Sequence, residues 1–292
     1  MAEPVVTISN VSKRFGAKAA LTDVSARVEP GDVVGILGKN GAGKTTLFEV
    51  LLGFSPPSAG SVAIFGEDCL RLSSSVKGRI GFVPQQDELL GMLTGRQQLA
   101  ITAAFHSSWD HSLIERLLAE WSVPTTQRIQ SMSVGERQKL SVLTALGHHP
   151  ELLVLDEPVA SLDPIARRQF LAQLFDASEG QTRAVLFSSH IVSDIERAAT
   201  KIWIVKDGRL YWQGDADALK ESVVRVHVRS SKPLPQDLAI ANALTMHVQG
   251  GYATAAVTQW NPDERERIAG RFHADVEIEP LGLEEIFIEL HQ

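Results

Sequence analysis

Along the first 214 residues, short apolar and β-branched runs alternate with stretches in which apolar positions recur three and four apart. That alternation predicts a sheet covered by helices. "PVVTIS" and "DVSARV" read as early strands, and "DVVGIL" as a fully buried one, because its apolar run is nearly continuous. From Leu93 to Gly147 the strand signals vanish. "RQQLAITAAF", "HSLIERLLAEW" and "GERQKLSVLTALG" predict helices throughout this block, with Leu113, Leu117, Leu118 and Trp121 on one packed face. Trp109 and Trp121 read as packing residues. Strand texture returns in "ELLVLDEP" and "TRAVLFSSH", and "KIWIVKDGRLYWQG" predicts a hairpin turning at Asp207-Gly208.

After Gly214 the pattern changes again. "VVRVHVRS", "ALTMHVQG" and "YATAAVTQW" alternate as half-buried strands, "PDERERIAGRF" is a helix opened by Pro262, and "DVEIEPLGLEEIFIELH" is a strand followed by a helix. With "SSKPLPQD" as its internal loop, this stretch predicts a small α+β extension over 215–292, attached to a larger α/β domain over 1–214.

Composition narrows the possible functions. A 292-residue chain that is 44% hydrophobic can bury a large core. Its longest apolar runs, such as "LLVL" and "AVLF", are strand-length, far below the ~20 residues a membrane helix needs. The start "MAEPVVTISN" carries an acid and a proline where a signal peptide has positive charge and then an apolar run, so a cytosolic chain is expected. The formal net charge is −7, and residues 215–292 hold 13 Asp/Glu against 7 Lys/Arg, so nearly all the acidity sits in the extension. Such a balance argues against a nucleic-acid partner. Cys69 is the single cysteine, which excludes an internal disulfide; with nothing nearby to activate it, it reads as a filler. His148 and His149 are the only adjacent pair among nine histidines. Neighbours on a helix point apart, so the pair reads as a helix C-terminal feature before Pro150 rather than as metal ligands.

Two motifs carry chemistry. Gly38, Lys39, Asn40, Gly41, Ala42, Gly43, Lys44 and Thr45 match G-x-x-x-x-G-K-[ST], with Thr46 following, between a buried strand and a helix. Glycines let backbone N–H groups turn inward around phosphate oxygens, Lys44 reaches the β and γ phosphates, and Thr45 offers a hydroxyl to Mg²⁺. The phosphates would rest on a helix N-terminus, where unpaired N–H groups and the dipole favour anions. In "LLVLDEP" a buried strand ends in two carboxylates. Ligands of parallel sheets bind at strand ends, so Asp156 is the candidate for the Mg²⁺ shell and Glu157 the candidate general base for an attacking water.

"GKNGAGKTT", "FVPQQ", "SMSVGERQKL", "LLVLDEPVASLDP" and "SSH" occur in the order and spacing of the ATP-binding subunits of ABC transporters, which the chain resembles over residues 4–214. The resemblance implies a P-loop NTPase with a RecA-like core, an antiparallel β-subdomain and a helical subdomain over about 87–147, binding ATP and Mg²⁺ and hydrolysing ATP. It implies a head-to-tail dimer, with a second copy or a paralogous ATP-binding subunit. In that dimer Ser133, Gly135 and Glu136 of one chain close over the ATP of the other, with Asp163 beside that site. It implies further that Gln85 senses Mg²⁺ and the attacking water, that His190 contacts the γ-phosphate, and that Phe15 stacks on adenine, with its ring but without the tyrosine hydroxyl. A separate integral-membrane permease would dock on the block from Asp87 to Trp109, holding the chain at the inner face of the cell membrane. Bacterial export systems are the nearer likeness. The rival is a soluble ABC-type switch without a permease; such proteins usually carry two domains in one chain or a long coiled coil, and this chain has neither. A module that binds without hydrolysing is countered by the presence of Glu157 and His190.

The signature departs from Leu-Ser-Gly-Gly-Gln, reading Met132, Ser133, Val134, Gly135, Glu136. Valine cannot take the positive φ open to glycine, and Glu136 brings a charge toward a phosphate, so a slower site is expected.

Overall fold

The computed structural model describes residues 3–160, 162, 164–176 and 183–291. The chain divides into two compact units, Met1–Gln213 and Gly214–Gln292. The first half of the larger unit contains β1 (Val6–Phe15), β2 (Lys18–Val28), β3 (Val33–Leu37), α1 (Lys44–Leu51), β4 (Ala59–Ile64), β5 (Glu67–Asp68), α2 (Ser74–Lys77) and β6 (Ile80–Val83). There follow α3 (Gly95–Ala104), α4 (His111–Glu120), α5 (Val134–Leu146), β7 (Leu152–Leu155), α6 (Pro164–Asp176), β8 (Ala184–Ser189), α7 (Val192–Ala198), β9 (Lys201–Lys206) and β10 (Arg209–Asp215).

Six strands form the central sheet in the order β10-β9-β3-β8-β7-β6. β3 pairs in parallel with β8 and β9, and β7 with β6 and β8. All residues of β7 ("LLVL") and β8 ("AVLFSS") are buried, which is the reason their sequences do not alternate. A second sheet, β2-β1-β4-β5, is antiparallel. Helix α1 joins the two: Leu47, Phe48, Val50 and Leu51 share one apolar cluster with Val6, Ile8, Val62 and Ile64 of one sheet and Val34, Ile36, Val154 and Leu186 of the other. Each such side chain contributes roughly 1.5–3 kcal/mol on burial, so the loop preceding α1 is held by a helix embedded in the core.

Two expectations need correcting. The early strands run further than "PVVTIS" and "DVSARV", because Phe15 pairs with Lys18 and closes a long hairpin whose polar tip shows little hydrophobic pattern. The block 93–147 is not helical throughout. Between α4 and α5 the chain carries Arg128, which makes a one-pair bridge back to Thr94 ahead of α3, and a 3₁₀ turn over Ile129–Ser131. Pro124 has no N–H to donate, and the polar stretch after it has no apolar periodicity for a helix there.

The smaller unit contains α8 (Ala216–Ser222), β11 (Val223–Ser230), β12 (Ala243–Gln249), β13 (Tyr252–Thr258), α9 (Asp263–Phe272), β14 (Ala274–Pro280) and α10 (Leu283–Glu289). Its sheet is antiparallel in the order β12-β13-β11-β14. One face carries Val226, Val228, Ala255, Val257 and Val276, packed with Ile268 of α9 and with Leu234, Leu238 and Ile240 from the connecting loop. On the other face Arg225 meets Glu285 at 2.8 Å and Glu289 at 3.2 Å, His227 meets Glu279 at 3.0 Å, and Arg229 meets Glu277 at 3.6 Å. Part of the acidity of the extension is thus paired along β11.

Candidate functional site

β3 delivers the chain into the loop Gly38–Gly43, and α1 begins at Lys44. Gly43 has φ 113°, and a Cβ there would lie 2.8 Å from the Ala20 carbonyl, so only glycine fits. No side chain caps α1. The first N–H groups of that helix are therefore left to the loop and its contents. The turn between β9 and β10 braces the loop from the other side: the Gly208 N–H donates to Ala42 O at 3.0 Å, and the Thr22 N–H donates to Gly208 O at 2.8 Å.

Lys44 is buried. Its Nζ donates to Gly38 O at 2.7 Å, stands 3.5 Å from Lys39 O, and pairs with Glu157 Oε1 at 3.3 Å. The other oxygen, Glu157 Oε2, lies 2.7 Å from His190 Nδ1. One carboxylate thus connects the lysine of the loop with the histidine at the end of β8. Glu157 sits in the left-handed region at φ 51°, a conformation that costs a non-glycine residue energy and must be held from outside. Two side chains hold it: Ser188 Oγ accepts from Glu157 N at 2.9 Å, and Gln138 Nε2 donates to Glu157 O at 2.9 Å. Ser188 also donates to Asp156 Oδ1 at 2.6 Å, a contact that follows from the parallel register of Leu155 with Phe187.

The cleft over this cluster has a volume of about 610 Å³. It is lined by Asn40, Gly41, Gly43, Lys44, Thr45 and Thr46 of the loop and α1, by Gln85 and Glu157, and by Asp207 and Gly208 of the β9–β10 turn, with Phe15 half exposed (50%). The Lys13 ammonium lies 4.9 Å from the centre of the Phe15 ring and donates to Pro56 O at 2.7 Å. Gly38 and Ala42 take part through their backbones, and Asp156 lies buried behind Glu157. Behind His190, Ser189 Oγ accepts from Ile191 N at 3.0 Å and donates to Asp194 at 3.2 Å. Burial pushes the Asp194 carboxyl above the usual carboxylate range.

Ser133, Gly135 and Glu136 do not line this cleft. They form the start of α5, where Ser133 Oγ accepts from Glu136 N at 3.3 Å and Glu136 Oε2 accepts from Ser133 N at 2.7 Å. This reciprocal capping box gives Glu136 a helix-capping role. Val134 is the first helical residue and has no positive φ, so the backbone strain expected there is absent. A Cβ on Gly135 would come within 2.9 Å of Leu162 Cδ2, which would have to shift to admit it. Asp163 lies outside the described residues.

The family model described as "ABC transporter" matches residues 21–160. The Nod factor export ATP-binding protein I of Burkholderia lata is 31% identical, over 98% of this chain and 97% of its own length. The chain belongs to the ATP-binding proteins of ABC transporters. This ABC ATPase is also 31% identical to the daunorubicin resistance ATP-binding protein DrrA3 of Streptomyces coeruleorubidus, over 99% of this chain and 96% of that one. With the bacitracin transport ATP-binding protein BcrA of Bacillus licheniformis it shares 31% identity over 74% of this chain and 72% of that protein. Among solved structures, an ATP-binding subunit of an ABC transporter superposes with a TM-score of 0.67 at 26% identity, covering 74% of this chain and 92% of that one.

Within the ABC site, sequence reasoning missed Ser188, Gln138 and Arg137. Arg137 Nε pairs with Asp87 at 3.0 Å and its Nη1 donates to Met132 O at 2.7 Å. All three lie inside recognised motifs, but their partners are distant in sequence. The only usable signal was register, which places Ser188 beside Asp156 once β7 and β8 are taken as neighbours.

Proposed function

We propose that the chain is the motor subunit of an export-type ABC transporter, working as a head-to-tail pair of ATP-binding subunits and driving a separate membrane permease. The observation that carries this is the Lys44–Glu157–His190 cluster facing the loop at Gly38–Thr46, with a second phosphate-suited helix start, Ser133–Glu136, outside that cleft. A chain so built holds one half of each of two sites.

In this reading the N–H groups of residues 38–46 and the Lys44 ammonium receive the ATP phosphates, and adenine rests on the exposed face of Phe15. Thr45, Gln85 and Asp156 offer only oxygen donors, the set that suits Mg²⁺, which when bound would neutralise phosphate charge. Once phosphate takes over Lys44, the carboxylate of Glu157 is released to accept a proton from water. The water oxygen forms its bond to the γ-phosphorus, the bond from that phosphorus to the β–γ bridging oxygen breaks, and ADP and phosphate result. His190 donates a hydrogen bond to the γ-phosphate. Ser133, Gly135, Glu136 and Asp163 serve the ATP bound by the partner chain.

Permease docking is supported by apolar side chains standing in water: Met92 (77% exposed) and Phe105 (84%), with Leu90, Ile101 and Phe54. Among the described residues no helix is long and apolar enough to cross a membrane, in keeping with a permease on another chain at whose cytoplasmic face this subunit works. The names of the relatives, bacitracin transport, Nod factor export and daunorubicin resistance, support export.

The test is a pull-down from detergent-solubilised native membranes with Glu157→Gln, a change expected to trap the ATP-bound pair. Recovery of an integral membrane protein with several apolar spans supports the reading. Recovery of soluble partners alone, with ATP still bound, replaces it with a soluble ABC-type switch.

A further inference from the structure

Three consecutive residues of α5 reach three different places. Glu136 closes the cap on Ser133, Arg137 pairs with Asp87 two residues beyond Gln85, and Gln138 reaches the backbone of Glu157. The amide of Gln138 is oriented by its partner: a carbonyl only accepts, so the nitrogen must face Glu157 O. The amide oxygen then points away, buried, with no hydrogen-bond partner among the described residues. A buried acceptor without a partner opposes folding, and an apolar side chain of the same length would avoid that cost. Glu157 meanwhile keeps a left-handed backbone that its own side chain does not favour.

We infer that Gln138 is a positioning residue for ATP hydrolysis: its N–H fixes the peptide after Glu157, so that the carboxylate is aimed, and it ties that aim to the helix whose first turn serves the partner's ATP. The inference rests on the reading of Glu157 as the general base. The side chain touches no reacting atom; it acts through Glu157. Because α5 is one rigid helix, a shift of Ser133 and Glu136 on the partner's nucleotide moves Gln138 and with it Glu157. Each site is thereby informed of the other through the hydrogen bond from Gln138 to Glu157 O.

Gln138→Met keeps length and packing and removes the donor. In the purified full-length protein, ATP turnover should fall at least ~10-fold with KM for ATP within about twofold, and the melting temperature should stay the same or rise. In a Glu157→Gln background the same change should cost nothing further, because two residues acting as one unit are not additive. Gln138→Glu supplies a second check. Its turnover relative to the parent should rise as pH is lowered from about 8 to 6, since a buried carboxyl titrates high and its protonated form can donate to Glu157 O. Turnover of Gln138→Met within twofold of the parent overturns the proposal. So does an equal fold-loss in the Glu157→Gln background, or a loss of activity matched by a lowered melting temperature with a flat Gln138→Glu profile. Parent-like turnover in Glu157→Gln alone would instead overturn the role of Glu157 and the proposal with it.

Discussion

Helix α1 starts at Gly43, in a left-handed conformation with no side chain over its N–H groups, whereas α5 starts at Ser133 with its first turn closed by Ser133 and Glu136 in both directions. The difference lies in what stabilises each helix. α1 forgoes a cap, worth about 1 kcal/mol, and is held by four buried side chains between two sheets. α5 takes the cap and has an exposed first residue, Val134 (51%). In the proposed function, the start that holds phosphate within its own chain is bare from the outset, and the one that meets phosphate on the partner chain is closed until that chain arrives.

The largest expected effect tests the bare end. Glu157→Gln removes the carboxylate facing Lys44 and should lower turnover ~10²–10⁴-fold while nucleotide titration shows ATP affinity retained. Retained turnover would detach Glu157 from the chemistry. Next, Gly43→Ala forces a methyl toward Ala20 O at an unfavourable φ and should weaken ATP binding roughly 100-fold. Parent-like affinity would mean that the bare start is not what binds. Ser133→Ala opens the closed end: it should cost about 1 kcal/mol in denaturant unfolding and lower turnover ~10-fold without changing ATP binding by the isolated chain. Equal losses in binding and turnover would erase the distinction between the two ends.

The far end of α5 offers a stability test. His148, just beyond it, stacks on His106 with ring centres 3.9 Å apart, and burial first, then His106, holds it down to about 4. The folded state therefore favours the neutral ring, and the unfolded chain binds the proton more readily. Stability should fall as pH drops from about 6.5 toward 4, by on the order of 2 kcal/mol, and His148→Phe should flatten that limb in pH-dependent melting. The smallest effect is expected of Val134→Gly. With no positive φ to relieve, it should leave turnover within about twofold and cost roughly 0.5–1 kcal/mol of helix stability; a large gain in turnover would restore the idea that valine hinders the site.

Much of this comparison was legible in the chain before its fold. The buried strands, the glycine loop, the Asp207-Gly208 turn and the periodic helices follow from patterns only a few residues wide, which one sequence can display. Glu157 and the loop residues lie within such patterns, whereas Phe15 and Gln85, which line the same cleft, were indicated by the family resemblance alone. The tip of the β1–β2 hairpin and the short β5 were harder to read, because exposed polar strands carry little alternation. Least legible were contacts between distant segments: Gln138 with Glu157, Ser188 with Asp156, Arg137 with Asp87. Local propensity contains nothing about which side chains a sheet and a helix will bring together.

The strand order bears on how this protein is made. β3 lies between β8 and β9, and the loop after it is braced by Gly208, so the flanks of the nucleotide cleft come from chain that follows the loop by well over a hundred residues. At ~5–20 residues per second of synthesis, the glycine loop waits for many seconds beside an unfinished sheet. Every nascent chain that ends before about Ala184 lacks both neighbours of β3, and with them part of the core on which α1 packs. In the proposed function, nucleotide can stabilise this subunit only once synthesis has passed Gly208, and a product that ends before Ala184 carries the complete loop sequence beside an unfinished sheet.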